Sequence, residues 1–249
     1  MQPNRASKYQ AMRIPGFTLV ELLVVIAIVA TLSAVGIMGY MKARSKAASV
    51  KSLSNLRQIG VGLLAYGTDN QGKYPSAWDG SNNLTWRDKI GSYMDTDDSK
   101  EDSIFRSPTA KVKIPSSNNR AATYAMNSEM SWSLRQNGQD ANQPPVSLLR
   151  VANPARVIVI ADAGQNPNLG FSSHADFTSA RGWPYWEPNP GPWLNEAIPV
   201  EPVNQGTGTE PGDSISYRDN NHAACLMADG HIERFAKGTI QRKNMVFFH

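Results

Sequence analysis

The sequence predicts an α+β protein in which one long N-terminal helix packs on a small antiparallel β-sheet domain. Three observations support this fold class: an uncharged apolar run from Leu22 to Met41, an amphipathic continuation of that run, and short strand-like segments nearer the C-terminus. As a helix, the twenty residues of the apolar run would span about 30 Å, the thickness of a bilayer's hydrocarbon core. The first half of the helix is therefore predicted to cross a membrane.

The second half of the predicted helix covers residues 42–74. Apolar or small residues recur there at steps of three and four, the spacing of one helix face, namely at Ala47, Val50, Leu53, Leu56, Gly60, Leu63 and Gly67. The turn-rich stretch 67–72 and Pro75 end the pattern. We expect a single helix from about Thr18 to about Tyr66, with its second half forming a stalk on the globular domain.

The remaining residues, 75–249, are predicted to form that domain. A short helix is expected from Thr85 to Met94. Strand-like segments are Ala121–Met126, Arg156–Ala161, Ala223–Ala228 and His231–Phe235. The last two flank Asp229-Gly230, which favours a hairpin with a two-residue turn. We expect these strands to pack against the stalk.

Composition and charge narrow the functional classes. The chain has 249 residues, is 41% hydrophobic and carries a net charge of +4. Three of its basic residues lie in the stretch 1–16, which contains no acidic residue. Because no clustered positive charge is evident on the folded part beyond the region just after the apolar run, the sequence argues against a nucleic-acid-binding surface. The lone cysteine, Cys225, lies in an apolar run, which favours a buried small hydrophobe over a reactive thiol.

Glu21 lies one position before the uncharged run. A carboxylate at membrane depth is costly and therefore a functional candidate. The alternative is that Glu21 lies at the headgroup level, where it costs little. Basic residues flank both ends of the run, since Lys42, Arg44 and Lys46 follow it, so the positive-inside rule does not set the orientation.

Residues 13–28 read Arg-Ile-Pro-Gly-Phe-Thr-Leu-Val-Glu-Leu-Leu-Val-Val-Ile-Ala-Ile. This stretch resembles the N-terminal cleavage and methylation motif of type IV prepilins and type II secretion pseudopilins. Gly16 matches the residue before the cut, and Phe17 matches the N-methylated new N-terminus. Glu21 matches the acid at position five of the mature chain. The sequence departs from the family in having Pro15, rather than a basic residue, before Gly16; the nearest basic residue is Arg13.

The resemblance implies a domain organisation, a location and partners. It divides the chain into a leader (1–16), a transmembrane helix (17–41), its amphipathic continuation (42–74) and a globular pilin-like domain (75–249). It implies a single-pass protein of the bacterial inner membrane, with a cytoplasmic leader and a periplasmic or extracellular domain. Expected partners are prepilin peptidase, other pilin-like subunits of a homo- or hetero-filament, the inner-membrane assembly platform and the lipid bilayer.

The C-terminal hairpin resembles a second element, the His-x9-Asp-Gly motif of a prepilin-type, processing-associated group. Asp229-Gly230-His231 fits that motif, and Arg218 fits the residue before its histidine. Asp219 stands where the group has histidine. Turn preference also explains Asp-Gly without any further role.

A long stretch with little periodicity, 163–216, carries four aromatic residues close together: Trp183, Tyr185, Trp186 and Trp193. A loop of this length is often functional, and its aromatics could form a platform for a glycan or a protein. The favoured alternative is that they fold back and cover the sheet.

The sequence predicts no catalytic residues and no enzyme, because no histidine pair has metal-helix spacing and no nucleophile or phosphate-loop motif occurs. No cofactor is expected except calcium. Major secretion pseudopilins carry a calcium site in a C-terminal loop, and Asp213, Asp219 and Asp229 offer hard oxygen ligands. The predicted function is a structural subunit of a type II secretion pseudopilus or type IV pilus-like filament, processed and N-methylated by prepilin peptidase. The alternative is a membrane-anchored surface protein that binds a glycan or protein through the Trp-rich loop.

Overall fold

The computed structural model describes residues 17–79, 82, 84–94, 103–110, 123–127, 130, 146–163, 176–177 and 215–245. The helices are α1 (Leu19–Asp69) and α2 (Trp86–Gly91), with 3-10 helices at Leu148–Arg150 and Arg242–Asn244. The strands are β1 (Trp78–Asp79), β2 (Leu84–Thr85), β3 (Tyr124–Asn127), β4 (Ile158–Asp162), β5 (Asp176–Phe177), β6 (His222–Met227) and β7 (Ile232–Ala236). The chain divides into two compact units, Met1–Ser45 and Lys46–His249. The domain boundaries expected at residues 16, 41 and 74 stay predictions.

Helix α1 is 51 residues long and confirms the predicted long N-terminal helix. It runs three residues past the expected end at Tyr66. Its C-terminus is closed by a reversal of the backbone, where Gly72 donates a hydrogen bond to the carbonyl of Gly67 (2.7 Å) and both Gln71 and Gly72 have positive φ. Left-handed residues just after a helix satisfy its last carbonyls and stop it.

The main sheet has the order β5-β3-β4-β6-β7. Four of these strands pair antiparallel, as predicted, while the two-residue β5 pairs parallel to β3 at the edge. All five residues of β4 are buried, which its nearly continuous apolar sequence indicates for a central strand. The architecture is therefore α+β and pilin-like.

The turn between β6 and β7 differs from the prediction. Met227 pairs with His231 (N···O 2.9 Å), which leaves the three residues Ala228, Asp229 and Gly230 in the loop. A two-residue type I′ turn needs positive φ at both Asp229 and Gly230, but only Gly230 has it (φ 91°). The predicted two-residue turn is therefore wrong, and a three-residue turn with a left-handed glycine takes its place.

The core of the second unit lies between the sheet and the C-terminal half of α1. Leu56, Ile59 and Leu63 of the helix are buried in one cluster with residues of β3, β4 and β6. A Cβ atom on Gly60 would lie 3.1 Å from Leu226 Cδ1, so this glycine lets the helix approach β6 closely. The expected packing of the hairpin against the stalk is confirmed.

A second buried cluster covers the opposite face of the sheet. Its members include Ile158, Cys225, Phe235 and Met245. Asn127 helps to hold the C-terminal segment here, since its side-chain amide donates to the carbonyls of Ile158 and Met245 (2.8 Å each). The central strands are thus buried on both faces.

Candidate functional site

The N-terminal candidate site is described from Phe17 onward, and Gly16 lies outside the described residues. Phe17 is 75% exposed, and every described residue from it to Ala47 is exposed. Phe17 and Glu21 lie at the start of the same helix. Their roles in cleavage, methylation and assembly stay predictions.

Thr18 and Glu21 together form a capping box at the start of α1. The backbone N–H and the hydroxyl of Thr18 both donate to Glu21 Oε2, at 2.8 and 2.7 Å. The N–H of Glu21 donates in return to Thr18 Oγ1 at 3.2 Å. Such a reciprocal arrangement satisfies backbone donors that the first helical turn leaves free.

The capping box affects both interpretations of Glu21, as a carboxylate at membrane depth and as one at the headgroup level. A carboxylate that accepts two hydrogen bonds is less costly to remove from water than a bare one. Glu21 therefore keeps a local partner in a single chain, whether it lies in the headgroup layer or deeper. The Thr-x-x-Glu spacing directly before an apolar run is the sequence signal for this capping box.

Helix α1 provides the one candidate membrane span found among the described residues. By length and composition it is able to cross a bilayer, and none of its apolar window is buried inside the protein. Large apolar side chains such as Leu32 (68% exposed) and Val35 (67%) have no protein contact that shields them. Together with the N-terminal motif, this points to a single-pass inner-membrane anchor.

The two described calcium candidates, Asp219 and Asp229, each have their own interaction partners. Asp219 accepts a hydrogen bond from Ser49 Oγ (2.7 Å) and pairs with Arg234 Nη2 (2.7 Å). Asp229 accepts from the N–H and Nδ1 of His231 (3.0 and 2.6 Å), whereas Asp213 lies outside the described residues. Within the described part of the chain no group of three or more His, Cys, Asp or Glu could hold a metal ion. Calcium binding stays a prediction.

Asp219, which stands where the motif has histidine, contacts two elements of the structure. Through Ser49 it contacts α1, and through Arg234 it contacts β7. The carboxylate thus links the stalk part of the helix to the last strand of the hairpin. The resemblance of this hairpin to the His-x9-Asp-Gly group stays a prediction.

The aromatic residues of the predicted binding loop, Trp183, Tyr185, Trp186 and Trp193, lie outside the described residues. Within 163–216 the structure describes Ala163, the β5 pair and residues 215–216. The alternative function that rests on this loop stays a prediction.

A buried ion pair that the sequence did not predict links the segment just before β6 to the end of β4. Arg218 donates to Asp162 Oδ1 (3.0 Å) and to the carbonyl of Thr123 (3.0 Å). The two charged side chains are 6% and 1% exposed. The signal was the charged residue that ends the apolar run of β4, because a buried carboxylate requires a partner.

Cys225 on β6 is fully buried, which confirms its interpretation as a small core hydrophobe. Burial raises the pKa of its thiol well above the usual value, with a further contribution from the charge of Asp162. A thiol in this state stays protonated and unreactive at neutral pH.

Comparison with known proteins bears on the N-terminus. Residues 12–37 match the model of the prokaryotic N-terminal methylation motif. The chain carries the prepilin methylation motif. The match includes Gly16, Phe17 and Glu21, and it supports a type IV pilin-like or pseudopilin subunit, a structural rather than an enzymatic family. The motif implies processing by prepilin peptidase and assembly with other pilin subunits. Neither the curated proteins nor the solved structures contain a significant match to the chain.

Proposed function

We propose that this protein is a structural subunit of a type II secretion pseudopilus or a type IV pilus-like filament. In this proposal prepilin peptidase cuts the chain between Gly16 and Phe17 and methylates the new amino group. The observation that carries the proposal is the methylation motif at residues 12–37 together with the apolar first part of α1, whose residues up to Ala47 are all exposed.

Glu21 selects the incoming subunit by charge in this account. After cleavage, the amine of Phe17 lies four residues before Glu21 in each chain. In a filament the Glu21 carboxylate of one subunit pairs with the Phe17 amine of its neighbour. An ion pair in an apolar setting is far less costly than either charge alone, and removing one partner leaves the other uncompensated.

The Thr18 cap leaves the Glu21 carboxylate able to accept a further partner. In a single chain, the two hydrogen bonds from Thr18 serve the carboxylate. Because a carboxylate has about four lone-pair sites, Glu21 is able to keep a Thr18 bond while accepting a proton donor from a neighbour. The cap thereby orients the carboxylate at the start of the helix before assembly.

The exposed apolar half of α1 holds the subunit in the inner membrane, with the leader in the cytoplasm and the folded domain on the periplasmic or extracellular side. The assembly platform of the inner membrane then transfers the subunit from lipid to the filament. Apolar side chains exposed in one chain, such as Val25 and Leu32, exchange lipid contacts for helix contacts in that step.

Electron microscopy and cross-linking of filaments test the role of Glu21. Cells would produce the wild type, Glu21→Gln, which keeps the shape but not the charge, and the neighbouring control Val20→Leu. We expect Glu21→Gln to reduce incorporation by at least about tenfold, since loss of one partner of a desolvated pair costs several kcal/mol. Wild-type incorporation of Glu21→Gln, with normal cleavage, would contradict the assembly role.

A further inference from the structure

Three basic side chains follow the apolar half of α1; Lys42 and Arg44 are the two nearest to it, and Lys46 comes two positions later. Lys42 and Arg44 come one and three positions after Met41, and both are exposed. From Leu22 to Thr68 the sequence contains no Asp or Glu, so no carboxylate lies at the three- or four-residue spacing that pairs side chains along a helix. In the part of the chain that the structure describes, neither cation has an ion-pair partner.

The length of the apolar run sets the depth of these two cations in a membrane. Twenty helical residues span about 30 Å, which equals the hydrocarbon thickness. When Leu22–Met41 crosses the bilayer, Lys42 therefore reaches the headgroup layer, and Arg44 lies about 3 Å further along the helix axis. Flexible stems let both side chains adjust their charged ends to the level of the lipid phosphates.

We propose that Lys42 and Arg44 bind the phosphates of anionic phospholipids in the leaflet at the C-terminal end of the apolar run, each on its own side of the helix, because side chains two positions apart do not face each other. The guanidinium of Arg44 presents paired N–H donors to phosphate oxygens, and Lys42 adds a compact charge. The occupant is a lipid rather than free phosphate, because the exposed apolar residues just before Lys42 contact its acyl chains. The site rests on the membrane anchor of the proposed function.

Binding of anionic lipid by Lys42 and Arg44 affects how readily the subunit leaves the membrane for the filament. Anionic lipid neutralises the two cations while the subunit is in the membrane, before it joins a filament. When the subunit leaves the bilayer, Lys42 and Arg44 give up the lipid phosphates, so a bilayer rich in anionic lipid retains the subunit more strongly. The attraction of a basic residue to an anionic surface corresponds to about fivefold per residue, or about twenty-fivefold for two.

Spin-labelled lipids provide the test. The full-length chain is reconstituted in bilayers of phosphatidylcholine, and electron paramagnetic resonance measures how much labelled phosphatidylglycerol or labelled phosphatidylcholine is held at the protein surface. The variants are Lys42→Gln/Arg44→Gln and, as a matched control on the same helix, Lys51→Gln/Arg57→Gln. Both double variants remove two positive charges and keep the basic residues of the leader. A further arm adds inorganic phosphate or chloride at equal ionic strength.

We expect the wild type and the Lys51/Arg57 control to prefer phosphatidylglycerol several-fold. The Lys42/Arg44 variant should show a clearly smaller preference, which comes from Lys46 and the three basic residues of the leader. Equal binding of both lipids by the wild type, or an equal loss in both variants, would overturn the site. Stronger competition by phosphate than by chloride would assign the site to free anions instead of lipid. Resistance to alkaline extraction reports the anchor separately: a chain that is extracted contradicts the proposed function, while an inserted chain without lipid preference contradicts the lipid site alone.

Discussion

The two stretches of helix α1 have similar apolar side chains but place them in different surroundings. In the first unit, Leu22, Leu32 and Val35 are each more than half exposed. In the second unit, Leu56, Ile59 and Leu63 are at most 3% exposed, because the sheet covers them. The same kind of residue thus serves two purposes, which are contact with lipid or neighbouring subunits in one unit and the chain's own core in the other. The comparison predicts that substitutions in the second unit change folding stability, whereas those in the first change membrane and assembly behaviour.

The largest effect on stability is expected from the buried ion pair. Arg218→Gln leaves the Asp162 carboxylate, which is 1% exposed, without its counter-charge. Loss of one partner of a buried pair costs about 3–5 kcal/mol. Urea unfolding of the full chain in mild detergent, followed by tryptophan fluorescence, measures this loss.

The control for that prediction is Arg234→Gln. The Arg234 side chain is 41% exposed, while its partner Asp219 is 8% exposed and keeps a hydrogen bond from Ser49 in the variant. Arg234→Gln should cost about 1 kcal/mol, as for a pair that water partly screens. Adding Asp162→Asn to Arg218→Gln should restore part of the stability, because the uncompensated charge is then gone. Equal losses for Arg218→Gln and Arg234→Gln would show that burial of the pair does not matter.

The next effect compares the two stretches of α1 directly. Leu56→Ala removes a fully buried side chain from the contact with the sheet and should lower the free energy of unfolding by about 3 kcal/mol. Leu32→Ala, at a side chain that is 68% exposed, should leave the unfolding of the domain unchanged. The same urea titration serves both variants, and similar losses would contradict the division of roles along the helix.

A smaller effect is expected at the hairpin. Gly230 has φ of 91° and no atom within 4 Å of a Cβ placed on it. Gly230→Ala therefore introduces backbone strain but no clash, at a cost of about 1 kcal/mol. Ala228→Gly, at a neighbouring turn position with negative φ, provides the comparison. Circular dichroism during thermal unfolding should show a lower Tm for Gly230→Ala, and a Tm equal to that of the wild type would argue against a left-handed conformation at Gly230.

The smallest expected effect is the pH dependence of the contribution that Asp229 makes to folding stability. Burial alone would raise the pKa of Asp229, but hydrogen bonds from the backbone N–H and the side chain of His231 outweigh it and lower that pKa. A carboxyl group with a lowered folded-state pKa stabilises the fold above its usual pKa of about 3.9 and loses this contribution as the pH falls through the lower value.

The variant His231→Ala should therefore be less stable than the wild type at neutral pH, by less than about 1 kcal/mol because the pair is partly exposed. The difference should shrink as the pH falls below about 4, where Asp229 takes up a proton. Urea unfolding at neutral pH and below that pH measures it, and Glu233→Gln, which removes the longer contact to His231 (3.8 Å), is the control. A difference that grows below that pH would contradict the assigned cause.

The sequence predicted the parts of the fold that depend on periodicity. The spacing from Leu53 to Gly67 predicted the helix face that meets the sheet, whereas Ala47 and Val50 of the same pattern are exposed. The continuous apolar residues of β4 predicted a central strand. It did not predict the three-residue turn, because Asp-Gly suits both a type I′ turn and a type I turn followed by a left-handed glycine. Only the register of β6 and β7 separates these two.

The sequence also missed contacts between residues that are far apart along the chain. The pairing of Arg218 with Asp162 and of Asp219 with Ser49 depends on the order of strands in the sheet, which no local pattern encodes. The Thr18–Glu21 capping box, by contrast, was readable from its spacing. Of the predicted N-terminal site, Glu21 stands out in the structure because its carboxylate already has a defined partner.

The most direct test of the proposed function is mass spectrometry of the mature chain isolated from membranes. The account predicts a chain that begins at Phe17 and carries a single N-methyl group there, and a Gly16→Leu variant that keeps its leader. A chain that still begins at Met1, or one cut after the apolar run, would contradict it.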